Sequence, residues 1–119
     1  MFQQEYTISS SHHDKPITFD IRHLETEDKQ PLIIFLHGFK GFKDWGHFNL
    51  IADYWAQQGF TVVKINFSHN GTTPEALGDF GDLEAFGNNN FTKELHDIDD
   101  VLVQVAKLDF IDQKNINLV

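Results

Sequence analysis

The run Pro31-Leu-Ile-Ile-Phe-Leu-His37-Gly38-Phe39-Lys40-Gly41-Phe42-Lys43-Asp44-Trp45-Gly46 constrains this chain more than any other. Leu32 to Leu36 are apolar without alternation, so a strand here has both faces covered, as parallel strands under helices do. The strand passes directly into a loop punctuated by glycine. A buried strand, a glycine loop and then a helix form the repeating unit of an α/β sheet.

The rest of the chain repeats that unit. From His47 or Phe48 to Gln58, the residues Phe48, Ile51, Ala52 and Trp55 share one helical face, and Gly59 stops the helix. Residues 60–66, Phe-Thr-Val-Val-Lys-Ile-Asn, read as a second buried strand. Residues 92–108 carry the strongest helical pattern, with Leu95, Ile98, Val101, Leu102, Val105 and Leu108 in a stripe. Thr92 is the expected cap, and Glu94 suits the positive end of the helix dipole. Residues 109–114 connect to a further strand at 115–119. Upstream, residues 5–9 form a short strand, and residues 16–24 alternate Ile17, Phe19, Ile21 and His23 against Thr18, Asp20 and Arg22. Period-two alternation implies one solvated face, and the two strands predict an antiparallel hairpin at a sheet edge. Residues 67–91 are rich in Gly and Asn, and a connection this long is functional or holds a helical turn, expected at 74–77. The expected fold is therefore α/β: a mostly parallel sheet with an N-terminal antiparallel hairpin, flanking helices and right-handed crossovers.

Length and charge narrow the function. With 119 residues the chain forms one domain at most. Eighteen acidic against nine basic side chains give a net charge of -9, which argues against nucleic acid and anionic membrane surfaces as partners. Cysteine is absent, which excludes disulfides, a thiolate nucleophile and Cys-based zinc sites and fits a reducing compartment. No basic segment followed by an apolar stretch opens the chain, and no apolar run approaches a membrane span, so the cytoplasm is the expected location. Twelve Phe against two Tyr and one Met point to a filled core and an aromatic-lined pocket.

Phe35-Leu36-His37-Gly38-Phe39, between a buried strand and the first helix, resembles the oxyanion loop of α/β-hydrolases. The following Lys40-Gly41-Phe42-Lys43-Asp44-Trp45 is similar to esterase-like members related to dienelactone hydrolases. Asn66-Phe67-Ser68-His69-Asn70-Gly71 after the second strand, and an acidic helix followed by Asn-Ile-Asn-Leu-Val, extend the resemblance from Ile17 to Val119. It covers the first half of that fold. The resemblance implies a serine hydrolase acting on an ester or similar acyl bond of a small molecule. It also implies that the nucleophile elbow Gly-X-Ser-X-Gly, and then the acid and histidine of the triad, follow beyond Val119. The expected organisation is thus that residues 1–119 are the N-terminal part of a single α/β-hydrolase domain, inactive alone.

On that resemblance Gly38 and Phe39 are the catalytic positions, the N–H of Phe39 serving as one oxyanion donor and Gly38 giving the backbone a tight path. His37 orients the loop as a packed histidine. Phe42 and Trp45 line the acyl pocket or pack under the loop. Ser68, beside His69, lacks the flanking glycines of an elbow and reads as a loop-structuring serine. No histidine pair has helical zinc spacing, and Asp97 and Asp100 read as solvated, so no metal site is expected. Residues 38–43 lack both the Rossmann spacing and the P-loop ending, and no cofactor is expected. A rival expectation is a non-catalytic, hydrolase-like module that self-associates through an exposed strand edge from Asn115 to Val119.

Overall fold

The computed structural model describes all 119 residues. Five strands, β1 (Phe2–Ile8), β2 (Ile17–His23), β3 (Gln30–Leu36), β4 (Thr61–Asn66) and β5 (Ile111–Leu118), form one sheet in the order β1-β2-β4-β3-β5. β1 and β2 make the expected antiparallel hairpin at an edge. β2 also runs antiparallel to β4, whereas β3 is parallel to β4 and to β5. Helices α1 (Phe48–Gln57), α2 (Leu83–Gly87) and α3 (Phe91–Val105) complete the chain. The α/β class and the mixed sheet agree with the sequence reading. None of the helices is long and apolar enough to cross a membrane.

Alternation in the strands sorts side chains onto two different faces. Ile17, Phe19 and Ile21 of β2, Leu32 and Ile34 of β3, and Val63 and Ile65 of β4 join Val101 and Val105 of α3 in one apolar core. The opposite face is divided. Toward one end, Val62 packs with Ala52 and Ala56 of α1, with Trp55 and Phe60 around them. Toward the other end it is ionic. Glu5 lies opposite Asp20, Asp20 opposite Lys64, and Lys64 opposite Phe35, a row that crosses four strands.

This row overturns the expectation of a solvated face on β2, because all seven of its residues are buried. Asp20 and Arg22 point under α1 and the loop before it, where counter-ions replace water. Arg22 reaches Asp20 at 3.1 Å, Asp53 at 2.7 Å and Asn49 Oδ1 at 3.0 Å. Lys43, from the loop between β3 and α1, sits 2.9 Å from Asp20, 2.9 Å from Asp44 and 2.6 Å from Glu5. Lys64 sits 2.7 Å from Asp44 and 3.2 Å from Asp20. Burial works against the Lys43 ammonium, but Asp20, Glu5 and Asp44 outweigh it and hold its pKa well above the usual lysine value. Asp44, which burial alone pushes up, is held below the usual carboxylate range by Lys64 and Lys43. Buried charge persists only where it is paired in this way.

Three further expectations are corrected. Asn90, not Thr92, caps α3, its side chain accepting from the Lys93 N–H, so the cap lies two residues earlier. Leu95 is 62% exposed and lies off the apolar stripe, whereas Asp97 is 1% exposed and faces inward. The helical turn expected at 74–77 is a tight turn closed by a Thr73–Ala76 bridge, and the short helix in that connection is α2.

Asp20 is shared by three cations, so Asp20→Asn strands buried charge on several sides. Removing one partner of a buried pair costs about 3–5 kcal/mol. Urea unfolding should report a loss of that size, and a loss near the surface-pair value of about 0–1 kcal/mol would show that the network is idle.

Candidate active-site loop and its groove

Residues 37–46 leave the end of β3 and lead into α1. Gly41 N–H donates to the Gly38 carbonyl at 2.9 Å, and Lys40 between them has φ 60. Phe39 is not among the residues with positive φ, so residues 38–41 have the pattern of a type II turn, with Phe39 and Lys40 as its central residues. A positive φ is unusual for lysine and marks a strained backbone at the loop apex. Gly41 is required by close approach: a Cβ there would stand 2.8 Å from the Gly38 carbonyl oxygen.

The loop is pinned along its length. His37 Nδ1–H donates to the Gly38 carbonyl at 2.9 Å, and its Nε2 accepts from the Phe67 N–H at 3.2 Å. An acceptor on Nε2 and a donor on Nδ1 define a neutral imidazole, and burial pushes its pKa below the usual histidine value. Asn70 Nδ2–H donates to the Gly41 carbonyl at 3.3 Å, and Asn66 Oδ1 accepts from the Lys43 N–H at 2.6 Å. Lys64 Nζ donates to the Lys43 carbonyl at 2.8 Å. The N–H of Phe39 is left without a partner in the chain. Other N–H groups of the loop, those of Gly38 and Lys40 among them, are also free of partners, and a pinned loop with free N–H groups is the kind of element that can stabilise developing negative charge.

Beside this N–H opens a groove of about 770 Å³, bounded by His37, Gly38 and Phe39 on one side and Phe86, Phe91 and Glu94 on the other. Phe39 and Phe91 are 86% and 84% exposed, and the Phe39 and Phe86 rings lie 5.5 Å apart. Phe42 lies elsewhere, against Gly78 and 6.3 Å from the Phe80 ring. Trp45 packs on Phe48 at the start of α1, 5.4 Å between ring centroids. Sequence reasoning therefore located the loop but missed Phe86, Phe91 and Glu94, which approach it from α2 and α3. It also missed Asn66, Asn70 and Lys64, although a lysine within Val62-Val63-Lys64-Ile65 is itself a signal of a buried ion partner.

Ser68 occupies a second polar cluster. Its Oγ lies 3.1 Å from His13 Nε2 and 2.8 Å from His69 Nδ1, and its N–H donates to Asp97 Oδ2 at 2.7 Å. His13 Nε2 also lies 3.1 Å from Asp97 Oδ1, while its Nδ1 accepts from the Lys15 N–H at 3.2 Å. A catalytic histidine presents one nitrogen to the serine and the other to the carboxylate. Here the same nitrogen meets both and the other is spent on backbone, and Ser68 is buried. The cluster is a strut that ties the β1–β2 turn and the start of the β4–α2 connection to α3, and it explains why Asp97 is not solvated. No group of three or more His, Asp or Glu is placed to hold a metal ion.

No protein-family model and no curated protein matches the sequence. Solved structures do match along its length. The α/β-hydrolase GrgF from Penicillium sp. sh18 superposes with a TM-score of 0.73 at 14% identity, over 99% of this chain and 37% of that one. Est1E from Butyrivibrio proteoclasticus gives a TM-score of 0.65 at 18% identity, over 94% of this chain and 38% of the other. An alpha-beta serine hydrolase homologue from Coxiella burnetii gives 0.66 at 18% identity, over 97% and 50%. The chain thus has a partial α/β-hydrolase fold, spanning between 34% and 50% of the length of such structures.

Because burial depresses the His37 pKa, the folded chain takes up a proton there less readily than the unfolded chain. Its contribution to stability is full above the unfolded value of about 6.5 and is lost as pH falls below it. Burial likewise depresses His69, so both act in this window. Urea midpoints should fall from about pH 7 to about pH 5.5, and His37→Gln, which still offers an acceptor to Phe67, should flatten that fall. An unchanged slope in the variant would show that His37 protonates freely.

Proposed function

We propose that residues 1–119 are the N-terminal part of a single serine-hydrolase domain acting on ester or similar acyl bonds of small molecules, and that their share of the chemistry is the oxyanion loop. The supporting observation is the pairing at the end of β5. Leu36 N–H donates to the Val119 carbonyl at 2.8 Å, and Val119 N–H donates to the Ile34 carbonyl at 2.9 Å. A residue following Val119 in a longer polypeptide emerges beside Gly38 and Phe39. A serine on the turn after that strand would attack an acyl carbonyl whose oxygen meets the Phe39 N–H and the N–H following the serine. His37 holds the loop in place and moves no proton. Phe39, Phe86 and Phe91 wall the substrate, and Phe42 and Trp45 serve as packing beneath and beside the loop.

The test is made on a polypeptide carrying Gly-X-Ser-X-Gly after Val119. A fluorophosphonate probe labels that polypeptide and leaves the 119-residue chain, Ser68 included, unlabelled. Phe39→Pro deletes the donor at a turn position that accepts proline. Relative to Phe39→Ala, which keeps the N–H, it should lower kcat about 10²- to 10³-fold. Equal rates in the two variants would sink the oxyanion assignment.

A second reading, a non-catalytic module that self-associates, draws on β5. Its outer edge pairs with no strand, and Leu118 and Val119 are exposed there. Light scattering of the 119-residue chain at low micromolar concentration discriminates: a monodisperse dimer favours the module, and a monomer or a heterogeneous aggregate removes it.

A further inference from the structure

The two rims of the groove beside Phe39 carry opposite polarity. On the loop side, the lining residues Gly38, Phe39 and Lys40 have backbone N–H groups without partners in the chain. The Lys40 ammonium stands there too, 5.9 Å from the centre of the Phe39 ring and in no ion pair. On the α3 side the lining includes the Glu94 carboxylate. One rim is therefore rich in donors and the other ends in a negative charge.

Glu94 is fixed where it stands. It lies in the first turn of α3, where the helix dipole favours an anion. Its Oε2 accepts from Asn89 Nδ2–H at 3.0 Å, while its Oε1 has no partner. No cation lies within ion-pairing distance of it, and the neighbouring Lys93 Nζ donates instead to the Asn88 carbonyl at 2.5 Å. Burial lowers the His37 pKa, and the Glu94 charge works against that shift, so the carboxylate is within electrostatic reach of the loop. A half-buried carboxylate with a free oxygen and no counter-ion, set in a groove, is matched by a cation that donates to it.

A simple cation would also meet the Lys40 ammonium and the donor rim, and a simple anion would meet Glu94. A ligand with an ammonium at one end and a carbonyl oxygen at the other suits both rims. Between the rims, Phe39 and Phe86 hold their rings 5.5 Å apart, and Phe91 is exposed at the start of α3. Exposed rings on a concave surface suit a hydrocarbon side chain.

We infer that the groove takes the acyl group of an apolar α-amino acid, its ammonium on Glu94, its carbonyl oxygen at the N–H groups of residues 38–40 and its side chain among the three rings. This names the acyl group for the proposed hydrolase reading and rests on that reading for the cleavage. The binding itself needs no serine.

Three probes that share one hydrocarbon skeleton test it: leucinamide, isocaproamide, which lacks the ammonium, and isoamylamine, which lacks the carbonyl. They are titrated into the 119-residue chain at about pH 6.5, where an α-ammonium is charged, and followed by NMR on the phenylalanine rings. Leucinamide should shift Phe39, Phe86 and Phe91 saturably and bind about tenfold more tightly than either partial probe, the factor expected of one charge-assisted hydrogen bond. At about pH 9.5 the leucinamide amine is neutral, and its advantage over isocaproamide should vanish, a control that needs no variant. Glu94→Gln, which still offers an acceptor to Asn89, should remove the same advantage at the lower pH and leave isocaproamide unchanged. Leucinamide binding no better than either partial probe, an advantage that survives the higher pH or the variant, or shifts confined to other phenylalanines would overturn the assignment. Such a result would leave the Phe39→Pro comparison intact, and failure of that comparison would leave the leucinamide titration intact.

Discussion

The ionic row across β1, β2 and β4 is the constraint on which the rest of the site depends. Lys43 belongs to the candidate oxyanion loop, yet its ammonium lies among Asp20, Asp44 and Glu5 beneath that loop. Lys64 holds the same segment from the strand, through the Lys43 carbonyl and the Asp44 carboxylate. Replacing a whole buried ion cluster by apolar residues is often nearly neutral for stability. What such residues cannot supply is direction: each charge accepts only certain partners at certain distances. The ions therefore specify where the β3–α1 loop sits, and the apolar core under α3 supplies most of the driving force for folding.

The two faces of the sheet divide the work. On the α3 face, Val101 and Val105 close over Ile17, Phe19, Leu32 and Val63, a contact that is large, apolar and undirected. On the α1 face, small Ala52 and Ala56 let the helix approach Val62 closely, and its first two turns offer Asn49 and Asp53 to Arg22. A single helix thus closes an apolar patch and completes an ionic one. The His13–Asp97–Ser68 strut holds the other loop, since Ser68 follows Phe67, whose N–H binds His37. Both loops that frame the groove are consequently anchored by buried polar groups.

Much of this was legible in the sequence because it is local. The unbroken run Leu32 to Leu36, the helical face of Phe48, Ile51, Ala52 and Trp55, and the alternation of β2 each report a period that backbone geometry imposes. What was not legible depends on partners far along the chain. Asp20 and Arg22 alternate as a solvated face would, and only the arrival of Lys43, Lys64 and Asp53 makes that face buried. Asp97 has the spacing of the buried face, four and eight residues before Val101 and Val105, but its charge reads as solvated, and only the β1–β2 turn folding onto α3 gives it His13. The groove was half visible: His37, Gly38 and Phe39 lie in one stretch, but Phe86, Phe91 and Glu94 come from a connection whose Gly and Asn content carries no period.

The strain at Lys40 follows from the same logic. A type II turn places its third residue at positive φ, where glycine or asparagine is the usual occupant. Gly41, one position later, is already required by the 2.8 Å approach to the Gly38 carbonyl. Lysine at the strained position is tolerated because both ends of the turn are over-determined: His37 grips the Gly38 carbonyl, and Asn70 grips the Gly41 carbonyl. A loop held so firmly can keep an unfavourable backbone angle at its apex. The Phe39 N–H in that turn has no partner in the chain. Under the proposed oxyanion role such an N–H would need little reorganisation, and the row of ions that anchors Lys43 would fix where the apex sits.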